Sequence, residues 1–218
     1  MNNAVKKIYL HIGLPKTGSS SIQSTLFLKK NQILLQRSDY LYPRSLGVNH
    51  SYPIVSAFFD NPYIHWVNKS RGLTFEEIRE YNQKKLELLK FEMKKFKPLY
   101  LIISGEGIPD LTEQNLIRLK NYLLTLTENR VNISIIVYVR NPVDISVSEI
   151  QQRIIGSDTE DTALLEMKKR ISSYFRDSIE KFNNIFGKGS IHLYKFEQAI
   201  KHPFGLVGHF LEAIGFDE

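Results

Sequence analysis

Cysteine is missing altogether from the 218 residues. Its absence excludes disulfides, a thiolate zinc site and a cysteine nucleophile, and it suits a reducing compartment. Long apolar runs are missing too, since no uninterrupted stretch reaches the ~20 residues that a membrane helix needs. The opening MNNAVKKIYLHIG has too short an apolar run before its first glycine to act as a signal peptide, so the expected location is the cytoplasm. No repeat, low-complexity tract, Gly/Ser linker or visible cluster of metal ligands interrupts the chain. With 42% hydrophobic and 24% charged residues, residues 1–218 are expected to form one ordinary globular domain.

Charge comes next. A net charge of +6 favours anionic ligands. The lysines, however, are spread through amphipathic stretches such as QKKLELLKFEMKKFK, which read as solvated helix faces and not as a nucleic-acid patch. Along the chain, strand and helix signals alternate. KKIYLHI, LYLIIS, NISIIVYV and SIHLYKF are apolar enough to be buried strands. Helices are expected over 19–36 (apolar Ile22, Leu26 and Ile33), 74–96 (a Thr74/Glu77 capping box), 111–129, 143–154, 162–186 and a last stretch ending near 216. The Ser-rich start of the first is expected to cap it. Residues 38–72, with Pro43, Pro53, Pro62 and several aromatics, read as short helices and loops, an insertion suited to face an acceptor. Apolar strands separated by helices predict an α/β fold of three layers, α/β/α, with a mostly parallel central sheet.

Ligands of such sheets sit beyond the carboxyl ends of the strands. The segment HIGLPKTGSSSIQ occupies that position after the first strand and nearly matches a nucleotide phosphate loop, G-x-x-x-x-G-K-[ST]. Gly13 and Gly18 have the spacing and Ser20 the terminal hydroxyl, but Ser19 stands where the lysine belongs, and the loop's only lysine is Lys16. A glycine-rich turn entering a helix is an anion site by virtue of its amides and the helix dipole. Here Pro15 stiffens the turn, Lys16 adds a mobile charge, and Thr17, Ser19, Ser20 and Ser21 offer hydroxyls. The apolar strands end in Ser104 and Arg140, with no aspartate where a magnesium-dependent kinase would need one. The loop therefore reads as a cradle for an anion bound without metal.

These residues carry a resemblance. LPKTGSSSIQ resembles the 5′-phosphosulfate loop of sulfotransferases that use 3′-phosphoadenosine 5′-phosphosulfate (PAPS), and YVRNPVDISVS resembles their 3′-phosphate motif, a strand ending in Arg with Ser eight residues later. The late YFRDSIEKFNNIFGKGSIHLYKFEQ is similar to the helix-then-strand segment of the bacterial and carbohydrate-type branch, whereas the RKGxxG element of the cytosolic members is absent. The resemblance implies a P-loop-like sulfotransferase fold. It implies that the amides of Gly18, Ser19 and Ser20, with Lys16, hold the 5′-phosphosulfate, and that Arg140 and Ser148 hold the 3′-phosphate. The product left behind would be 3′-phosphoadenosine 5′-phosphate (PAP).

Sulfuryl transfer needs an acceptor oxygen or nitrogen in line with the leaving phosphate oxygen, charge stabilisation at that oxygen, and a base for the acceptor proton. Lys16 is the expected stabiliser. Glu106, in the glycine-flanked turn GEGIP into which the strand LYLIIS runs, is the first choice for the base, since glutamate serves so in the heparan-type branch that the sequence resembles. His50, in GVNHSYP, is the second. His11 lies on the strand just before the loop and is read as a core histidine beneath it; Tyr63 or Trp66 could stack on a sugar. The acceptor implied is a hydroxyl or amine, on a carbohydrate or glycolipid. Two other classes compete with this reading: a P-loop kinase of a small metabolite, and a protein that binds PAP or PAPS without turnover.

Overall fold

The structure, a computed structural model, describes residues 5–127, 131–141, 145 and 174–216. Within them five strands form one sheet, β1 (Lys7–Ile12), β2 (Tyr40–Leu41), β3 (Tyr100–Gly105), β4 (Asn132–Val139) and β5 (Ile191–Lys195). Their order is β2-β3-β1-β4-β5 and every neighbouring pair is parallel. The helices are α1 (Ser19–Phe27), α2 (Lys29–Arg37), α3 (Ser51–Phe58), α4 (Trp66–Ser70), α5 (Phe75–Phe96), α6 (Glu113–Thr125), α7 (Tyr174–Phe186), α8 (Phe196–Ala199) and α9 (Gly205–Ala213).

The pleat sorts the strand residues into two cores. Ile8, Leu10, Ile12, Leu101, Ile103, Ile135 and Val137 pack on one face against residues of α3, α5, α6 and α7. Tyr9, Ile102, Ile136 and Tyr138 pack on the other, against α1, α2, α8 and α9. This is the expected three-layer α/β/α arrangement, and burial on both faces explains why the strands are apolar throughout. The Thr74/Glu77 box caps α5 as read: the Glu77 amide donates to Thr74 Oγ1 at 3.3 Å and the Thr74 amide to Glu77 Oε2 at 2.8 Å.

Three local expectations are corrected. The helix expected over 19–36 breaks at Leu28, whose ψ of 135° is extended. Side-chain amides take up carbonyls freed by the break: Asn31 donates to Thr25 O and Gln32 to Leu26 O, each at 2.7 Å. The break also shifts the helical phase, so Leu35 is buried while Ile33 is 45% exposed. The N-cap of α1 is Gly18, with no side-chain cap, where a serine cap was expected. Within 38–72 a two-residue strand, β2, pairs with the start of β3, and the amides of Leu99 and Tyr100 both donate to Asp39 O. The expected helix over 143–154 lies outside the described residues apart from Ile145, as does the part of 162–186 before Tyr174. Among the described residues no helix is long and apolar enough to cross a membrane.

Candidate active site

The central strand β1 has β3 on one side and β4 on the other, so the chain leaves the sheet at three adjacent points of one edge. The loop after β1, the Glu106 turn after β3 and Arg140 after β4 meet there around a cavity of about 650 Å³. Pro15, Lys16, Thr17, Gly18, Ser19 and Ser20 line it, together with Glu106 and Arg140.

The loop is shaped by close approach and by left-handed backbone. Gly18 has φ 74°, and a Cβ there would stand 2.3 Å from Leu206 Cδ2 of α9. A Cβ on Gly13 would lie 2.2 Å from Ser19 Oγ and 3.2 Å from Glu106 Cβ, so only glycine lets the first turn of α1 and the Glu106 turn close over the loop. Lys16 is itself left-handed, at φ 61°, a conformation that costs a non-glycine residue ~1–3 kcal/mol and is tolerated where the surroundings enforce it. Arg140 is part of that enforcement, because its Nη1 donates to Lys16 O at 3.2 Å and ties the loop to the end of β4. The guanidinium also lies over the Phe196 ring, 5.2 Å from its centre.

Two buried polar atoms on this loop and strand end have no partner: Ser19 Oγ and Arg140 Nε. Ser19 is only 4% exposed. An unmade bond on a buried polar group costs ~1–3 kcal/mol, so a donor pair kept in this state beside a cavity suits an anionic ligand with several acceptor oxygens. A phosphate or phosphosulfate fits this donor set on those grounds. The hydroxyl of Thr17, by contrast, donates to Leu14 O at 2.7 Å and so serves the loop itself. Ser21 is exposed on α1 and does not line the cavity; Ser148 lies outside the described residues.

Beneath the loop, His11 is fully buried. Its Nδ1 meets Ser104 Oγ at 2.8 Å, and Gln23 of α1 donates to the same hydroxyl at 3.1 Å. Burial alone lowers its pKa to about 4, which keeps it neutral under the loop, as a core histidine should be.

Glu106 is exposed on the wall of the same cavity, and its Oε1 accepts from Asn49 Nδ2 at 3.0 Å. His50 does not share that cavity. It is 0% exposed, stacks on Tyr42 at 4.2 Å between ring centres, and accepts the Ser104 amide at Nδ1, 3.2 Å away. An amide can only donate, so the Nδ1 lone pair is occupied and the neutral ring carries its proton on Nε2. Desolvation lowers its pKa to about 3. This corrects the expectation that His50 faces the acceptor: the ring is a buried anchor under the Glu106 turn. Tyr63 and Trp66 are exposed, Trp66 by 73%, and neither lines the cavity.

Other lining residues were not foreseen. Asp110, Tyr174, Phe175 and Phe196 complete the wall, and Tyr174 donates its hydroxyl to Asp110 Oδ1 at 3.0 Å. Phe196 follows directly on β5, at the same sheet edge as Arg140, and that position was the available signal. Asn49 had a weaker one, an asparagine two residues ahead of a helix start; its Oδ1 accepts the Ser51 amide at 2.9 Å. Among the described residues no group of three or more His, Asp or Glu side chains is placed to hold a metal ion.

Comparison with solved structures finds the chain similar to a sulfotransferase from Alicyclobacillus acidocaldarius, at 14% identity and a TM-score of 0.53 over 96% of this chain and 81% of that one. It is also similar to the sulfotransferase domain from the curacin biosynthetic pathway, at 13% identity and a TM-score of 0.49 over 98% of this chain and 75% of that one, a score too low to build on. The first likeness shows that the chain has the sulfotransferase fold. No family model matches the sequence, and no curated protein matches it.

Proposed function

We propose that this chain of sulfotransferase fold binds PAPS and transfers its sulfuryl group, without a metal ion, to a hydroxyl or amine of a carbohydrate or glycolipid. The observation that carries the reading is one cavity bounded by the Lys16 loop, by Arg140 with its unpartnered Nε, and by the carboxylate of Glu106. Bound PAPS would supply an activated sulfuryl group and a phosphate leaving group. The chain's own residues do the rest. The amides of Gly18, Ser19 and Ser20 and the Lys16 ammonium bind the phosphosulfate end, and the positive end of α1 adds to their field. Arg140 binds the 3′-phosphate and at the same time fixes the loop through Lys16 O. Lys16 holds its charge beside the leaving oxygen. Glu106, its Oε1 held by the Asn49 side-chain amide, takes the acceptor proton.

Calorimetry on Arg140→Ala separates the two ends of the ligand. The substitution is expected to weaken PAP binding by ~1.5–3 kcal/mol, the range for a hydrogen bond to a charged group. Adenosine 5′-phosphosulfate, which lacks the 3′-phosphate, should lose much less. Equal losses for both ligands would assign Arg140 to the loop alone and remove the 3′-phosphate role.

A further inference from the structure

Three consecutive residues at the start of α3, Asn49, His50 and Ser51, grip the turn that carries Glu106. The His50 amide donates to Ser104 O at 3.0 Å, and the Ser104 amide returns a bond to His50 Nδ1 at 3.2 Å. Past the glutamate, the Gly107 amide donates to Ser51 Oγ at 3.0 Å. The carboxylate itself takes the third grip, from Asn49 Nδ2. Asn49 cannot rotate without loss, because its Oδ1 is engaged by the Ser51 amide. Behind this segment the His50 ring is wedged against Tyr42, whose hydroxyl donates to Val48 O at 2.6 Å.

An exposed glutamate on a turn would otherwise sample several rotamers, at an entropic cost each time it reaches the cavity. A buried anchor, two backbone ties and one side-chain amide remove that freedom. We infer that residues 49–51 form a clasp in which Asn49 is a positioning residue, holding the carboxylate of Glu106 toward the cavity. What Glu106 does there rests on the function proposed above; the clasp does not.

The test needs no ligand. Three-bond side-chain couplings measured by NMR on the free full chain, with the Glu106 signals assigned by their loss in Glu106→Gln, report the rotamers of that side chain directly. In the wild type they are expected to show one dominant rotamer. Asn49→Ala should average them. Asn49→Asp keeps the oxygen that receives the Ser51 amide, so the start of α3 is preserved, yet it replaces the donor with a like charge and should average them at least as far. Averaging already in the wild type, or wild-type couplings retained in Asn49→Asp, would overturn the clasp, whatever Glu106 proves to do. Averaged couplings in a protein whose Glu106→Gln variant still turns over normally would leave the clasp standing and remove only the base.

Discussion

Glu106→Gln is expected to reduce turnover on a verified acceptor by ~10²–10⁴-fold while PAP affinity stays nearly unchanged. The substitution is close to isosteric, and the glutamine carbonyl can still accept from Asn49, so the turn and its clasp should survive. What it loses is the capacity to take a proton. Because the backbone of Glu106, whose Cβ lies against Gly13, is unchanged by the substitution, the loss should not disturb the amides of Gly18, Ser19 and Ser20 that bind the donor. Turnover close to wild type would move the proton to some other acceptor. His50 is a poor substitute, because its Nδ1 is occupied by the Ser104 amide and its ring is sealed from the cavity. An activity loss in a His50 variant is therefore expected to act through the position of Glu106.

Lys16→Ala should lower turnover by ~10²–10³-fold, the size seen when a donor to a developing negative charge is removed. The test is clean for a structural reason. Arg140 is bonded to the backbone carbonyl of Lys16 and not to its side chain, and alanine meets the same left-handed strain at φ 61°. The loop should therefore keep its shape while losing the ammonium. PAP affinity is expected to fall by a smaller factor, since the amides of Gly18, Ser19 and Ser20 remain, so the loss would lie mainly in the transition state. If affinity and turnover fell by the same factor, Lys16 would be a ground-state ligand only.

How far the sequence reached can be judged from single elements. The α5 capping box, the four longer strands and the glycine-spaced loop were readable because each depends on residues close in the chain. Leu28 shows where such reading stops. Nothing at that position forbids a helix, and the break is supported by Asn31 and Gln32, whose amides catch carbonyls six residues back. β2 escaped because two residues have no period, and its existence depends on the edge of β3. Glu106 was placed by its strand. His50 was given the wrong surroundings because a buried neutral histidine and an exposed basic one look the same in a sequence. Asn49, Asp110 and Phe196 reach the site only through the topology that brings β3, β4 and β5 to one edge.

The central claim is that the Lys16 loop and Arg140 hold a PAPS-type nucleotide without a metal, and titration calorimetry of the full chain with two ligands tests it most directly. PAP in the presence of EDTA is expected to bind with micromolar or tighter affinity and, by mass action, to raise the melting temperature. ATP with Mg²⁺ should bind more weakly, because Ser19 occupies the place of the phosphate-loop lysine. Tighter binding of ATP with Mg²⁺, abolished by EDTA, would contradict the account and make the chain a kinase-like nucleotide binder.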